Sequence, residues 1–216
     1  MTASRPPAPF RGFLLAIGGQ CRKVGKSMLV ADIIHAFPDR NWIAVKITPY
    51  AESGCPVKGA SCNCLPEEHS YAIHNETSRT GNSDSSRFLA AGAHRSLWLE
   101  TKENALKDAL PALAAELASA ESEYAVIESD ALMRFWKPSL AIVVLDPSNP
   151  DFKDSALENL PRADAFVFRS PFNDSDPRFR SLAAAPKPRF FQPIGSPLPP
   201  DLGHFLSGTI SHLPAS

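Results

Sequence analysis

The sequence predicts an α/β fold, a three-layer sandwich on a mostly parallel sheet, and three observations carry that prediction. Phe13-Leu14-Leu15-Ala16-Ile17 is a continuous apolar run closed by Gly18-Gly19, which suits a strand buried on both faces. The period then changes. Val30, Ile33, Ile34 and Phe37 fall at i, i+3, i+4 and i+7, one stripe of a helix that Pro38 and Asp39 stop. Trp42–Thr48 reads as a second strand closed by Pro49, so strand, loop, helix and strand follow in the order from which doubly wound sheets are built.

The remaining elements extend this pattern. Met1–Phe10 is Pro-rich and reads as a loose arm, with the main domain spanning 11–170. Residues 50–83 are rich in Gly, Ser, Asn, Cys and Pro without a sustained period, and read as a long functional loop. Ser85–Ala93 is helical, and His94–Glu100 holds a short apolar strand, Leu97-Trp98-Leu99. Leu106, Leu110, Leu113 and Leu117 mark an amphipathic helix that Pro111 either kinks or restarts. Tyr124–Ser129, Leu140–Asp146 and Ala165–Arg169 are three further strand candidates. Nine of the 21 prolines follow Ser170, so 171–216 is expected to be an irregular extension packed on the domain.

Composition narrows the function classes. The 216 residues are 44% hydrophobic and 21% charged, enough for a sizeable core and too apolar for a disordered chain. A formal net charge of -1 leaves no broad basic surface for nucleic acid or anionic lipid, so any phosphate affinity must be local. The apolar run Phe13–Gly19 is too short to span a bilayer and leads into a basic segment, not a cleavage site. A cytoplasmic chain with reduced cysteines is the expectation.

The local positive charge lies between the first strand and the first helix. Gly19-Gln20-Cys21-Arg22-Lys23-Val24-Gly25-Lys26-Ser27-Met28 has glycines where a backbone must fold its N–H groups around an anion, and the helix N-terminus adds partial positive charge. In such a loop Lys26 reaches the terminal phosphates and the Ser27 hydroxyl ligates Mg²⁺. The spacing is one residue longer than G-x-x-x-x-G-K-[ST], and a simple turn and cap is the bland alternative. Glu128, ending an apolar strand, and Asp84, preceding a helix, supply carboxylates for Mg²⁺; the competing roles are a solvated strand end and an N-cap. Arg22 and Lys23 either clamp phosphate or are exposed loop cations.

With its extra residue, the loop ending Val24-Gly25-Lys26-Ser27 resembles those of dethiobiotin synthetase and the cobyrinic and cobyric acid synthases. Val45-Lys46-Ile47-Thr48, Asp84-Ser85-Ser86-Arg87 and Ala91-Gly92-Ala93 are similar to elements of molybdopterin-guanine dinucleotide biosynthesis protein B, and Ala125-Val126-Ile127-Glu128 resembles the acidic strand end of both groups. The resemblance covers about residues 13 to 170 and implies a P-loop NTPase fold. It further implies that Asp84 and Glu128 share Mg²⁺ with Ser27, that Lys46 contacts substrate or phosphate, and that the chain forms a homodimer. Ser129-Asp130 stands where the families have Gly, so their substrates do not transfer.

Cys55, Cys62 and Cys64, followed by His69, place four soft or borderline ligands within one loop. Zn²⁺ or an iron–sulfur cluster, substrate or redox chemistry, and a structural or disulfide role are all open to them. Cys21 is either a reactive thiol lowered in pKa by the helix N-terminus or a small space-filling residue. His74 and His94 have no partner visible in sequence. Taken together, the residues predict a Mg²⁺-dependent enzyme that binds ATP or GTP, with Lys26, Lys46 and Glu128 as catalytic residues. Its acceptor is a small molecule or a protein, and its setting is cofactor or metal-centre metabolism. The alternative is a nucleotide-switched metal or iron–sulfur carrier with little turnover of its own.

Overall fold

The computed structural model describes residues 6, 8–50, 70–102, 104–172, 176–179, 182 and 187–211. Strand β1 (Phe13–Gly19) is buried along its whole length, as its uninterrupted apolar sequence requires. The strands that follow are β2 (Ile43–Tyr50), β3 (Tyr71–Asn75), β4 (Arg95–Lys102), β5 (Tyr124–Glu128), β6 (Leu140–Leu145), β7 (Ala165–Phe168) and β8 (Arg189–Phe191). They form one eight-stranded sheet in the order β3-β4-β2-β5-β1-β6-β7-β8. Only β3 and β4 pair antiparallel; the other neighbours are parallel.

Helices cover both faces: α1 (Lys26–Ala36), α2 (Asp84–Ala90), α3 (Leu106–Ala118), α4 (Asp154–Asn159) and α5 (Pro200–Ile210). Alternation along β1 decides which residue meets which layer. Phe13, Leu15 and Ile17 join Leu29 and Ile33 of α1, Phe88 of α2, and Leu202 and Leu206 of α5 in one core. Leu14 and Ala16 join Ile43, Val45 and the α3 stripe Leu106, Leu110, Leu113 and Leu117 in the other. This is the predicted three-layer α/β sandwich. After β1 the chain crosses to β2 on one side, and after β5 it passes to β6 on the other. The strand order therefore reverses at β1, opening a crevice at its carboxyl end.

Several elements differ from expectation. β2 runs through Pro49 because beyond Lys46 it pairs with β4 alone, and a residue lacking N–H is tolerated where one side has no ladder. α3 is continuous through Pro111, which removes only the amide that would bond the Lys107 carbonyl. β3 lies inside the stretch read as loop; its Tyr71 and Ile73 pack against the α3-side core. The tail is less irregular than its prolines suggest. β8 extends the sheet, and Pro199-Pro200 starts α5, where proline is well placed in a first helical turn. The arm is partly tied down: Lys137 N–H donates to the Pro6 carbonyl and Ala8 N–H to the Lys137 carbonyl, at 3.0 and 3.3 Å.

Candidate functional site

The loop from Gly19 to Ser27 joins the end of β1 to the start of α1 at the point where the strand order reverses. Two glycines shape it. Gly25 caps α1 with φ +93°, a left-handed conformation that side chains disfavour. At Gly19 an added Cβ would sit 2.8 Å from Val24 Cγ1 and 2.9 Å from Lys26 Cδ, so only glycine lets the loop close over the lysine stem. Lys26 Nζ donates to the Cys21 carbonyl at 2.9 Å and lies 3.3 Å from Asp130 Oδ1. The same Asp130 oxygen accepts from Gly19 N–H at 3.1 Å, and Lys153 Nζ is 3.6 Å from Oδ2. A carboxylate thus rests against a loop amide and the loop lysine.

Other loop residues divide by direction. Arg22, Lys23, Ser27 and Met28 line a cleft of about 1020 Å³ that also holds Lys46, Asp84, Arg87, Glu128, Asp130, Arg134 and Lys153. Gln20 and Val24 point away from solvent. Gln20 is fully buried, donating to the Asn149 and Asp151 carbonyls and accepting from Asp146 N–H, which fixes the β6–α4 connection to the loop. Cys21 is buried, and burial pushes its thiol pKa up against the opposing effect of Lys26. Burial and the raised pKa both favour the space-filling reading of Cys21 over the reactive one.

The second half of the site is a cation on three oxygens. Lys46 and Glu128 are register partners on adjacent parallel strands, so their side chains leave the sheet together. Lys46 Nζ contacts Glu128 Oε1, lies 2.9 Å from Asp84 Oδ2 and donates to Ser27 Oγ at 3.4 Å. All three side chains predicted to hold Mg²⁺ therefore meet at one ammonium. Glu128 is 2% exposed, and its Oε2 has no hydrogen-bond partner among the described residues. Asp84 is not the N-cap of α2; Ser83 is, accepting from Ser86 N–H, and Asp84 turns toward Lys46 while also accepting from Arg87 at 2.9 Å. Among the described residues no three His, Cys, Asp or Glu side chains gather as a metal-ligating group. Two carboxylates and a hydroxyl are nevertheless the donor set a hydrated Mg²⁺ needs, since that ion keeps several waters.

The charges in this cluster support one another. Burial disfavours the carboxylate of Asp84, but Lys46, the Ser27 hydroxyl and Arg87 outweigh it and the pKa is lowered. Burial likewise opposes the charge on Lys46, and Glu128 and Asp84 outweigh it, raising the pKa. A lowered carboxyl adds stability above its unfolded pKa and loses it as pH falls through the folded one. A raised lysine adds stability below its unfolded pKa and loses it as pH rises through the folded one. Asp84→Asn should therefore lower stability at neutral pH and flatten its acid loss below about pH 4. Urea denaturation across pH checks this; an unaltered acid limb would contradict the pairing.

Sequence reasoning did not single out two residues at the site. Asp130 contacts the loop across 111 positions of sequence. Arg169, 5% exposed at the end of β7, donates to the Gly25 carbonyl and to the Gln192 carbonyl and Oε1, while Gln192 donates to Asp32 Oδ2 of α1 at 2.8 Å. Burial lowers the Arg169 pKa, against the raising effect of Asp32 and Asp146. His74 has partners in the fold, Glu100 at 3.4 Å and the Trp98 ring at 5.5 Å. Cys55, Cys62, Cys64 and His69 lie outside the described residues. No described helix is long and apolar enough to cross a membrane.

No family model matches the chain, and no curated protein matches it. Solved structures do. HypB from Helicobacter pylori, in complex with nickel, is 15% identical over 95% of this chain and 91% of its own, with a TM-score of 0.51. LpxK from Aquifex aeolicus, in complex with ATP, is 16% identical over 88% of this chain, with a TM-score of 0.47; the chain spans 56% of its length. At 15% identity the likeness to HypB is one of fold, the three-layer α/β type with a mostly parallel sheet that P-loop NTPases also have.

Proposed function

We propose that this chain binds ATP or GTP with Mg²⁺ in the cleft at the end of β1, and hydrolyses it or passes its phosphoryl group to a small-molecule or protein acceptor in cofactor or metal-centre metabolism. One observation carries the reading. Lys26 and Asp130, paired with each other, and Lys46, paired with Ser27, Asp84 and Glu128, line one cleft at the crevice where open α/β sheets bind ligands. The meeting of Ser27, Asp84 and Glu128 at Lys46 is in keeping with the resemblance to the dethiobiotin synthetase group, which implies that those three residues share Mg²⁺.

Each side chain has a task. The loop amides and Lys26 take the charge of the phosphate chain, and Arg22 and Lys23 add positive potential at the mouth. Ser27, Asp84 and Glu128 would hold the Mg²⁺, which when bound offsets the charge developing on the transferred phosphoryl oxygens. The buried second oxygen of Glu128 fits that demand. Asp130, beside Lys26, is placed to accept the proton of the attacking hydroxyl or water.

Calorimetric titration with ATP and with GTP, in Mg²⁺ and in EDTA, tests binding; phosphate release with and without added acceptors tests turnover. Absence of binding by both nucleotides at millimolar concentration would sink the reading. Asp130→Asn keeps the shape of the side chain and removes its basicity. It should leave nucleotide affinity at least as high and lower turnover by about 10²–10⁴-fold. Undiminished turnover would remove Asp130 from the chemistry.

A further inference from the structure

We propose that Lys46 is the resident cation of the carboxylate cluster, and that a divalent ion enters only as the Lys46 ammonium moves off it onto the phosphate oxygens that arrive with the metal. The inference rests on the nucleotide reading above and deepens it, because it states how the metal is admitted.

A lysine ammonium has three N–H donors and no acceptor. Lys46 Nζ has three oxygen neighbours, Glu128 Oε1, Asp84 Oδ2 at 2.9 Å and Ser27 Oγ at 3.4 Å. The ammonium is satisfied by the same three side chains that would ligate Mg²⁺. Its donors are then used up, and Glu128 Oε2, buried on a residue only 2% exposed, is left without a partner among the described residues. That oxygen is aligned with the demand of an ion that takes more oxygens than an ammonium can serve.

Size and charge make the two occupants exclusive. Mg²⁺ draws its oxygens in to about 2.0–2.1 Å, and an ammonium cannot keep its contacts to those oxygens without lying beside a divalent charge. Lys46 must leave, and it needs an anion to go to. Its side chain is 19% exposed and lines the cleft next to Lys26 and Ser27, so the path leads toward the phosphate loop. A free metal ion brings no such anion; a metal–nucleotide complex does. The tethered ammonium therefore protects the two carboxylates from stray divalent ions and gives way to the complex.

Mn²⁺ titration followed by electron paramagnetic resonance tests this on the full chain. Without nucleotide, Lys46→Met should bind Mn²⁺ at least tenfold more tightly than the wild type. Lys46→Arg should stay as weak as the wild type, and Lys46→Met/Glu128→Gln should lose the gain. Equal Mn²⁺ affinity of wild type and Lys46→Met, with the variant melting cooperatively and still binding Mn²⁺ with ATP, overturns the inference and leaves the nucleotide reading standing. Failure of the wild type to bind Mn²⁺ with either ATP or GTP overturns both. Should Lys46→Met not fold, melting of the wild type decides: Mg²⁺ alone should leave Tm unmoved and Mg²⁺ with ATP should raise it, and an equal rise with Mg²⁺ alone overturns the proposal.

Discussion

Lys26→Ala should lower nucleotide affinity and turnover by on the order of 10²–10³-fold, the usual cost of removing one charged or hydrogen-bonding group that meets developing anionic charge. The reason is local concentration of charge. With a net charge of -1 the protein has no general attraction for a polyphosphate, so binding depends on the few cations at the loop. Lys26 is the one inside it, folded onto the Cys21 carbonyl and Asp130. Its removal leaves Asp130 bonded to Gly19 N–H and near Lys153, a carboxylate facing the incoming phosphates with less to offset it. Because neither Lys26 nor Asp130 is part of the apolar core, the variant should fold normally by circular dichroism. Calorimetry and phosphate release check the prediction; unchanged affinity and rate would remove the central functional claim.

Glu128→Ala should be the most damaging of these changes to stability, and it should lower turnover as well. Breaking a buried ion pair from one side leaves a charge unpaired and typically costs about 3–5 kcal/mol. Lys46 keeps Asp84 as a partner, so the lower end of that range is expected. Turnover should fall by about 10²-fold or more, since a metal ligand and the partner of Lys46 vanish together. A second variant separates the two effects. Lys46→Met/Glu128→Leu replaces the pair by apolar side chains of similar volume, a change that is often neutral for stability. It should recover the melting temperature without recovering activity. Recovery of both would mean that the pair is a packing device; recovery of neither would mean that the carboxylate is held by more than Lys46.

What the sequence made legible follows from distance along the chain. β1, α1 and β2 could be read because each is written in consecutive residues, an apolar run, a helical stripe and a second run, and the loop between them carries its own glycines. Lys46, Asp84 and Glu128 came from resemblance more than from pattern; nothing local to Val45-Lys46-Ile47 says that its ammonium meets a carboxylate 82 positions later. Asp130 and Arg169 could not be found that way. Their partners Gly19 and Gly25 lie 111 and 144 positions away, and each looks like an ordinary polar residue after a strand. β3 and α5 were legible in principle. Tyr71 and Ile73 alternate, and Leu202, Leu206 and Ile210 repeat at helical spacing, but surrounding Gly, Ser and Pro outweighed these short signals.

The clamp on Gly25 sets an order of events during synthesis. The loop between β1 and α1 leaves the ribosome before β7 and β8, yet the guanidinium that grips its Gly25 carbonyl belongs to Arg169, and that guanidinium is in turn seated by Gln192. Gln192 also closes a ring back to Asp32 on the helix that the loop begins. Chains grow from the N-terminus, so an emerging molecule carries a complete loop sequence long before it carries the residues that hold the loop in shape. Premature release short of β8 would yield a chain with every recognisable motif and an ungripped loop.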